Sequence, residues 1–135
     1  MHVPQRILAL GGRVRASKLK SFRGDASGGR PIARVEIALV RLLGGAHVSA
    51  AKRRSKARCL QLNGSGRLDA LKVIRSRCAA THFLLAKGTS KWTFRLRRSL
   101  PPGSYVLVSR ATDTSGKRES AFSAGLGNRI SFSVR

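Results

Sequence analysis

The chain has 135 residues, 28 of them Lys or Arg against five Asp or Glu, for a formal net charge of +23. Leu, Ile, Val and Phe contribute 35 residues, a share above the ~20% typical of disordered, highly charged chains, so the composition implies one folded domain. No apolar run approaches the ~18 residues of a membrane span, and the scatter of Asp25, Glu36, Asp69, Asp113 and Glu119 along the chain argues against most enzymes.

Residues 1–6 read as a flexible end. Ile7-Leu8-Ala9-Leu10 is shorter than the core of a signal peptide, about 7 to 15 residues. Ile7 to Arg15 and Leu19 to Ala26 read as weak strands. Ile32 to Leu43 is stronger: Val35, Ile37 and Leu39 alternate with Arg34, Glu36 and Ala38, the period of two that turns one face toward a core. Residues 44–56 carry no pattern and read as a mobile surface loop holding the basic cluster Lys52, Arg53, Arg54 and Lys56, with Arg58 just beyond. Ala57 to Leu62 is a weak strand before Asn63-Gly64, a pair suited to a type I′ hairpin because both central residues need positive φ. Gly66 to Ser76 contains Leu68, Leu71 and Ile74, which fit a helical turn as readily as a strand. His82 to Ala86 is another weak strand.

The C-terminal part is patterned more clearly. Lys91 to Arg97 puts Trp92, Phe94 and Leu96 on one face and Lys91, Thr93, Arg95 and Arg97 on the other, a strand that covers a core and meets water. Tyr105 to Thr112 is apolar on both faces near its start, which places it centrally in a sheet. Asn128 to Arg135 turns Ile130, Phe132 and Val134 inward. Turns at Gly11-Gly12, Gly28-Gly29, Pro101-Pro102-Gly103 and Ser115-Gly116 separate these segments. Short strands spaced about 8 to 12 residues apart imply an all-β sandwich or barrel.

The run Leu100-Pro101-Pro102-Gly103-Ser104-Tyr105-Val106-Leu107, followed by Ala111-Thr112-Asp113-Thr114-Ser115-Gly116, resembles the E–F corner, F strand and F–G turn of immunoglobulin-like and fibronectin type III-like domains. By that resemblance Tyr105 is a corner residue whose hydroxyl bonds upstream backbone, and Gly103 supplies the turn before it. Ala111-x-Asp113-x-x-Gly116 is similar to the bacterial immunoglobulin-like and cadherin-like repeats of secreted and surface proteins. Together with Arg34 to Leu39, Trp92 and Asn128 to Phe132, the chain is similar to such repeats in actinobacterial proteins. The resemblance spans residues 7–135 and is specific over 91–135. The F strand lacks the cysteine of antibody domains, and Trp92 is not at the place of their core tryptophan. What the resemblance implies is an antiparallel immunoglobulin-like β-sandwich of about seven strands, in a family of interaction and spacer modules without catalysis.

An even cysteine count and a secreted-type resemblance favour a disulfide between Cys59 and Cys78, which would contribute ~3 kcal/mol. Two separate buried thiols, or a zinc site completed by His47 and His82, are the other readings. A disulfide without a signal peptide implies that Met1 lies inside a longer exported polypeptide, or that the start is elsewhere. Asp113 reads as an Asx-turn residue, since a calcium site needs about six to eight oxygens and Lys117 and Arg118 flank this turn. His2, His47 and His82 lack the context of a nucleophile and a carboxylate-held base. Gly125-Leu126-Gly127-Asn128 precedes a strand, not the helix N-terminus a phosphate loop needs. No catalytic residue, metal or cofactor is expected.

A charge of +23 is the ordinary footprint of polyanion binding. Trp92 and Phe94 fall opposite Arg95 and Arg97, which suits a core and not a platform for stacking bases. The sequence therefore predicts a non-catalytic structural or adhesive module of a secreted or cell-surface bacterial protein, partnered by neighbouring domains. Its Arg95, Arg97 and Arg98, with Lys52, Arg53, Arg54, Lys56 and Arg58, would contact anionic wall polymers or lipid headgroups. The alternative is a cytosolic nucleic-acid-binding protein acting through Lys52 to Arg58.

Overall fold

The computed structural model describes residues 3–8, 12–27, 31–43, 58–71 and 78–135. The described residues form eleven strands and no helix: β1 (Gln5–Ile7), β2 (Arg13–Val14), β3 (Ser21–Ala26), β4 (Ile32–Leu43), β5 (Arg58–Leu62), β6 (Leu68–Leu71), β7 (Leu84–Leu85), β8 (Lys87–Gly88), β9 (Lys91–Arg95), β10 (Gly103–Asp113) and β11 (Arg129–Val134). Seven of them have four residues or more. The first sheet has the order β1-β3-β9-β8; the second runs β2-β11-β10-β4-β5-β6, with β7 also on β4. Only β2 and β11 pair in parallel among these strands. The fold is an all-β sandwich, and no helix of the described residues is long and apolar enough to cross a membrane.

Alternation builds the core between the sheets. Phe22 and Trp92 from the first sheet meet Val35, Ile37, Leu39, Tyr105, Leu107 and Phe132 from the second, all buried, with Phe94, Leu96 and Ile130 packed at the margin. The rings of Tyr105 and Phe132 stack with centroids 5.5 Å apart, and Phe22 tilts against Phe132 at 5.8 Å. β10 lies between β11 and β4, as its two apolar faces require. Its outward Val106 and Val108 border a groove of about 780 Å³ with Val40, Leu42, Phe83 and Phe122.

Several local expectations change. The stretch Ile7 to Arg15 is two strands, because β1 pairs in the first sheet and β2 in the second. Of the end expected to be flexible at 1–6, residues 1–2 lie outside the described residues, Gln5 and Arg6 belong to β1, and Val3 is buried to 1% exposure. The Val3 N–H donates to Glu119 Oε2 at 3.2 Å, and the Gln5 side chain donates to Glu119 and accepts from Ser109 Oγ. A contact spanning 116 positions leaves no local trace in a sequence. Within Gly66 to Ser76 the chain forms β6, a strand; 44–57 and 72–77 lie outside the described residues.

The β5–β6 hairpin is not closed by a type I′ turn: the positive φ falls at Gly66 (86°), not at Gly64. Asn63 Oδ1 accepts from Ser65 N, Ser65 Oγ and Arg67 N, while Gly66 N donates to Asn63 O at 3.1 Å. Asp113 repeats every one of these contacts with Ser115, Gly116 (φ 90°) and Lys117. Asn63-Gly64-Ser65-Gly66-Arg67 and Asp113-Thr114-Ser115-Gly116-Lys117 are thus one turn used twice, with an acceptor side chain first and a left-handed glycine fourth.

Candidate functional site

β9 ends at Arg95, and the chain continues through Leu96 into Arg97 and Arg98 at one edge of the sandwich. Leu96 packs against the core, so Arg95 and Arg97 are turned outward on either side of it; both are exposed, as is Arg98. The tip of the β5–β6 hairpin lies against this corner: a Cβ on Gly66 would stand 2.8 Å from the Cβ of Arg97. Two clefts run between tip and corner, and a third adjoins them at Arg97 and Arg98. One of about 340 Å³ is bordered by Lys87, Thr93, Arg95, Arg97 and Gly64. A second, of about 750 Å³, is bordered by Ser65, Arg95, Arg97 and Arg98. A third, of about 150 Å³, adds Lys20 to Arg97 and Arg98. The lining offers guanidinium and ammonium groups with hydroxyl neighbours, the chemistry that holds oxyanions.

The carboxylates stand elsewhere, each engaged. Asp25 pairs with Arg6 at 3.0 Å, and Glu36 takes Arg110 at 3.0 Å and Arg34 at 3.5 Å. Asp69 accepts from Asn63 Nδ2. Asp113 holds its turn, and Glu119 accepts from the N–H groups of Val3 and Ala111. No carboxylate among the described residues lines these three clefts.

No protein-family model matches the chain, and no curated protein matches it.

The other residues singled out in the sequence have these places. Cys59 and Cys78 are joined in a disulfide with Cα atoms 5.9 Å apart, which leaves no thiolate for zinc. The bond pins residues 78–83 over the outer face of the second sheet, where Cys59 packs with Val40, Leu71 and Ala80. The Gln61 side chain holds the same segment by donating to Thr81 Oγ1 at 2.9 Å and accepting from His82 N at 3.1 Å. The Tyr105 hydroxyl donates to the Pro101 carbonyl at 2.6 Å, and Arg41 donates to the Pro102 carbonyl. Gly103 is the first residue of β10, directly after the bend at Pro102, and the Arg41 guanidinium lies where its side chain would stand. Trp92 is buried in the core. Arg58 lies on β5, with its side chain outside the described set, and Lys52, Arg53, Arg54 and Lys56 also lie outside the described residues.

Sequence reasoning missed Lys20, Lys87, Ser65 and Gly66 at this corner. Their distance from Arg97 along the chain hides them; the only local sign was the run of cations ending β9.

Proposed function

We propose that this chain is an immunoglobulin-like, non-catalytic binding module of a secreted or cell-surface bacterial protein, gripping anionic polymers at the corner formed by Arg95, Arg97 and Arg98. The observation that carries the binding reading is the cluster of exposed cations around contiguous clefts with no carboxylate among the described lining residues. The immunoglobulin-like reading is supported by strand order. Taking β1, β3, β9 and β8 as A, B, E and D, and β11, β10, β4, β5 and β6 as G, F, C, C′ and C″, both sheets follow the variable-type arrangement. The Tyr105–Pro101 bond sits where that family carries its tyrosine corner. A disulfide supports an oxidising, extracellular setting. Engagement of all five carboxylates in structural contacts supports a role without acid–base chemistry.

The test is the variant Arg95→Gln/Arg97→Gln/Arg98→Gln. At ~150 mM salt its binding to isolated anionic wall polymer should fall by about tenfold or more; unchanged binding rejects the assignment. Alkylation of protein from its native source should find Cys59 and Cys78 linked in the outer fraction. Two labelled thiols in the cytosol would favour the nucleic-acid reading through Lys52 to Arg58.

A further inference from the structure

The outer face of the first sheet is ordered by its register. Arg6, Asp25 and Lys91 are cross-strand neighbours in one row; Arg23, Thr93 and Lys87 form a second row, and Ser21 with Arg95 a third. Phe22, Ala26 and Trp92 take the buried positions between them, so the rows face solvent. Arg6, Arg23, Lys87, Lys91 and Arg95 are all exposed. Strands lie ~4.8 Å apart and alternate residues ~6.8 Å apart, so these cations stand on a grid of roughly 14 by 14 Å. Asp25 is the one carboxylate on the face, and its ion pair with Arg6 neutralises a corner. Arg23, Lys87, Lys91 and Arg95 form no ion pair among the described residues. The grid runs without interruption into the clefts at Arg97 and Arg98.

We infer that this face seats a linear polymer of repeating phosphate groups, laid along β9 from Lys91 past Arg95 to Arg97 and Arg98, and recognised by charge spacing alone. The inference rests on the anion-binding reading above and extends it from a corner to a track. The chemistry of the face selects this partner. Phe22 and Trp92 are buried and Phe94 packs half-buried against the core, so the face has no exposed ring on which bases stack. Ser21 and Thr93 stand between its cations, and its exposed apolar side chains, Leu8 beside Arg23 and Leu85 near Lys87, are two isolated ones and not the continuous apolar face that enters a bilayer interface. A flat sheet presents no helix or ribbon to read the edges of base pairs in a groove. Arg23, Arg95, Arg97 and Arg98 supply planar forks that grip phosphate through paired N–H donors, and Lys87 and Lys91 add point charges.

The experiment measures binding of the full chain to long-chain inorganic polyphosphate over a salt series. In the track variant Arg23→Gln/Lys87→Gln/Lys91→Gln, affinity at ~150 mM salt should fall about tenfold, and the slope of log K against log salt should flatten by about two, because each lost phosphate contact removes ~0.7–0.9 from it. The variant Lys117→Gln/Arg118→Gln/Arg129→Gln removes the same charge from exposed positions elsewhere and should lose less than about threefold. Equal losses in the two variants would mean that net charge acts without a track, and the inference fails. It fails too if the track variant keeps polyphosphate binding while losing phosphatidylglycerol vesicles, which would make the face a lipid-binding one. Loss of polyphosphate binding in Arg95→Gln/Arg97→Gln/Arg98→Gln, with none in the track variant, would overturn the track and leave the corner standing. Binding unchanged in every variant would overturn both.

Discussion

Gly24 and Trp92 face each other directly across β3 and β9, and the indole occupies the space that a Cβ on residue 24 would need. The Arg6 carbonyl closes the same space from β1. Glycine at this position lets the largest side chain of the core lie under three strands of the sheet that carries the cationic grid.

Gly24→Ala should therefore overpack the core and cost about 1–3 kcal/mol. Urea unfolding followed by Trp92 fluorescence would measure it. A stability equal to or above that of the parent chain would contradict this account of the packing.

The twin turns make a sharper pair of tests. Gly66 has φ 86° and its missing Cβ faces Arg97, whereas Gly64 has open space. Gly66→Ala should cost about 1–3 kcal/mol for a left-handed residue with a side chain. Gly64→Ala should stay within about 0.5 kcal/mol of the parent. Because Gly66 packs against Arg97, Gly66→Ala should also weaken polyphosphate binding. The reverse ranking in chemical denaturation would reject the turn geometry.

Tyr105 is the chain's single tyrosine, so its titration can be followed directly. Burial pushes its phenol above the ordinary value, with Arg41 pulling the other way. A group whose folded value is raised gives stability that is complete below the unfolded value, about 10, and that is lost as pH climbs through the folded one. Tyr105→Phe should cost about 1 kcal/mol near neutrality, through loss of the bond to the Pro101 carbonyl. It should also flatten the loss of stability above about pH 10. Urea midpoints at neutral and alkaline pH would measure both effects; an equally steep alkaline loss in the Phe variant would rule out Tyr105 as its source.

Much of the sandwich was legible because strand alternation is a local property. Val35, Ile37 and Leu39 in β4, Trp92 and Phe94 in β9, and Phe132 and Val134 in β11 announce their buried face at a spacing of two. The doubly apolar start of β10 announces a central strand. The β1–β2 division was not legible, since it depends on which sheet each half joins. The Asn63 turn was misread for a related reason: Asn-Gly suggested positive φ at Gly64, but the Asn63 side-chain Oδ1 satisfies Ser65 and Arg67 and the left-handed residue is Gly66.

By itself the sequence determined an all-β chain of net charge +23, with the cations of β9 on the side away from its aromatics, because charge and period are carried by neighbouring residues. Only the tertiary structure decided which cations stand together. Register across β3, β9 and β8 sets Arg23 and Lys87 on either side of Thr93, and folding of the β5–β6 hairpin brings Gly66 against Arg97. Those juxtapositions depend on hydrogen bonds between distant strands and on a glycine small enough to admit Trp92, and no local pattern encodes either one.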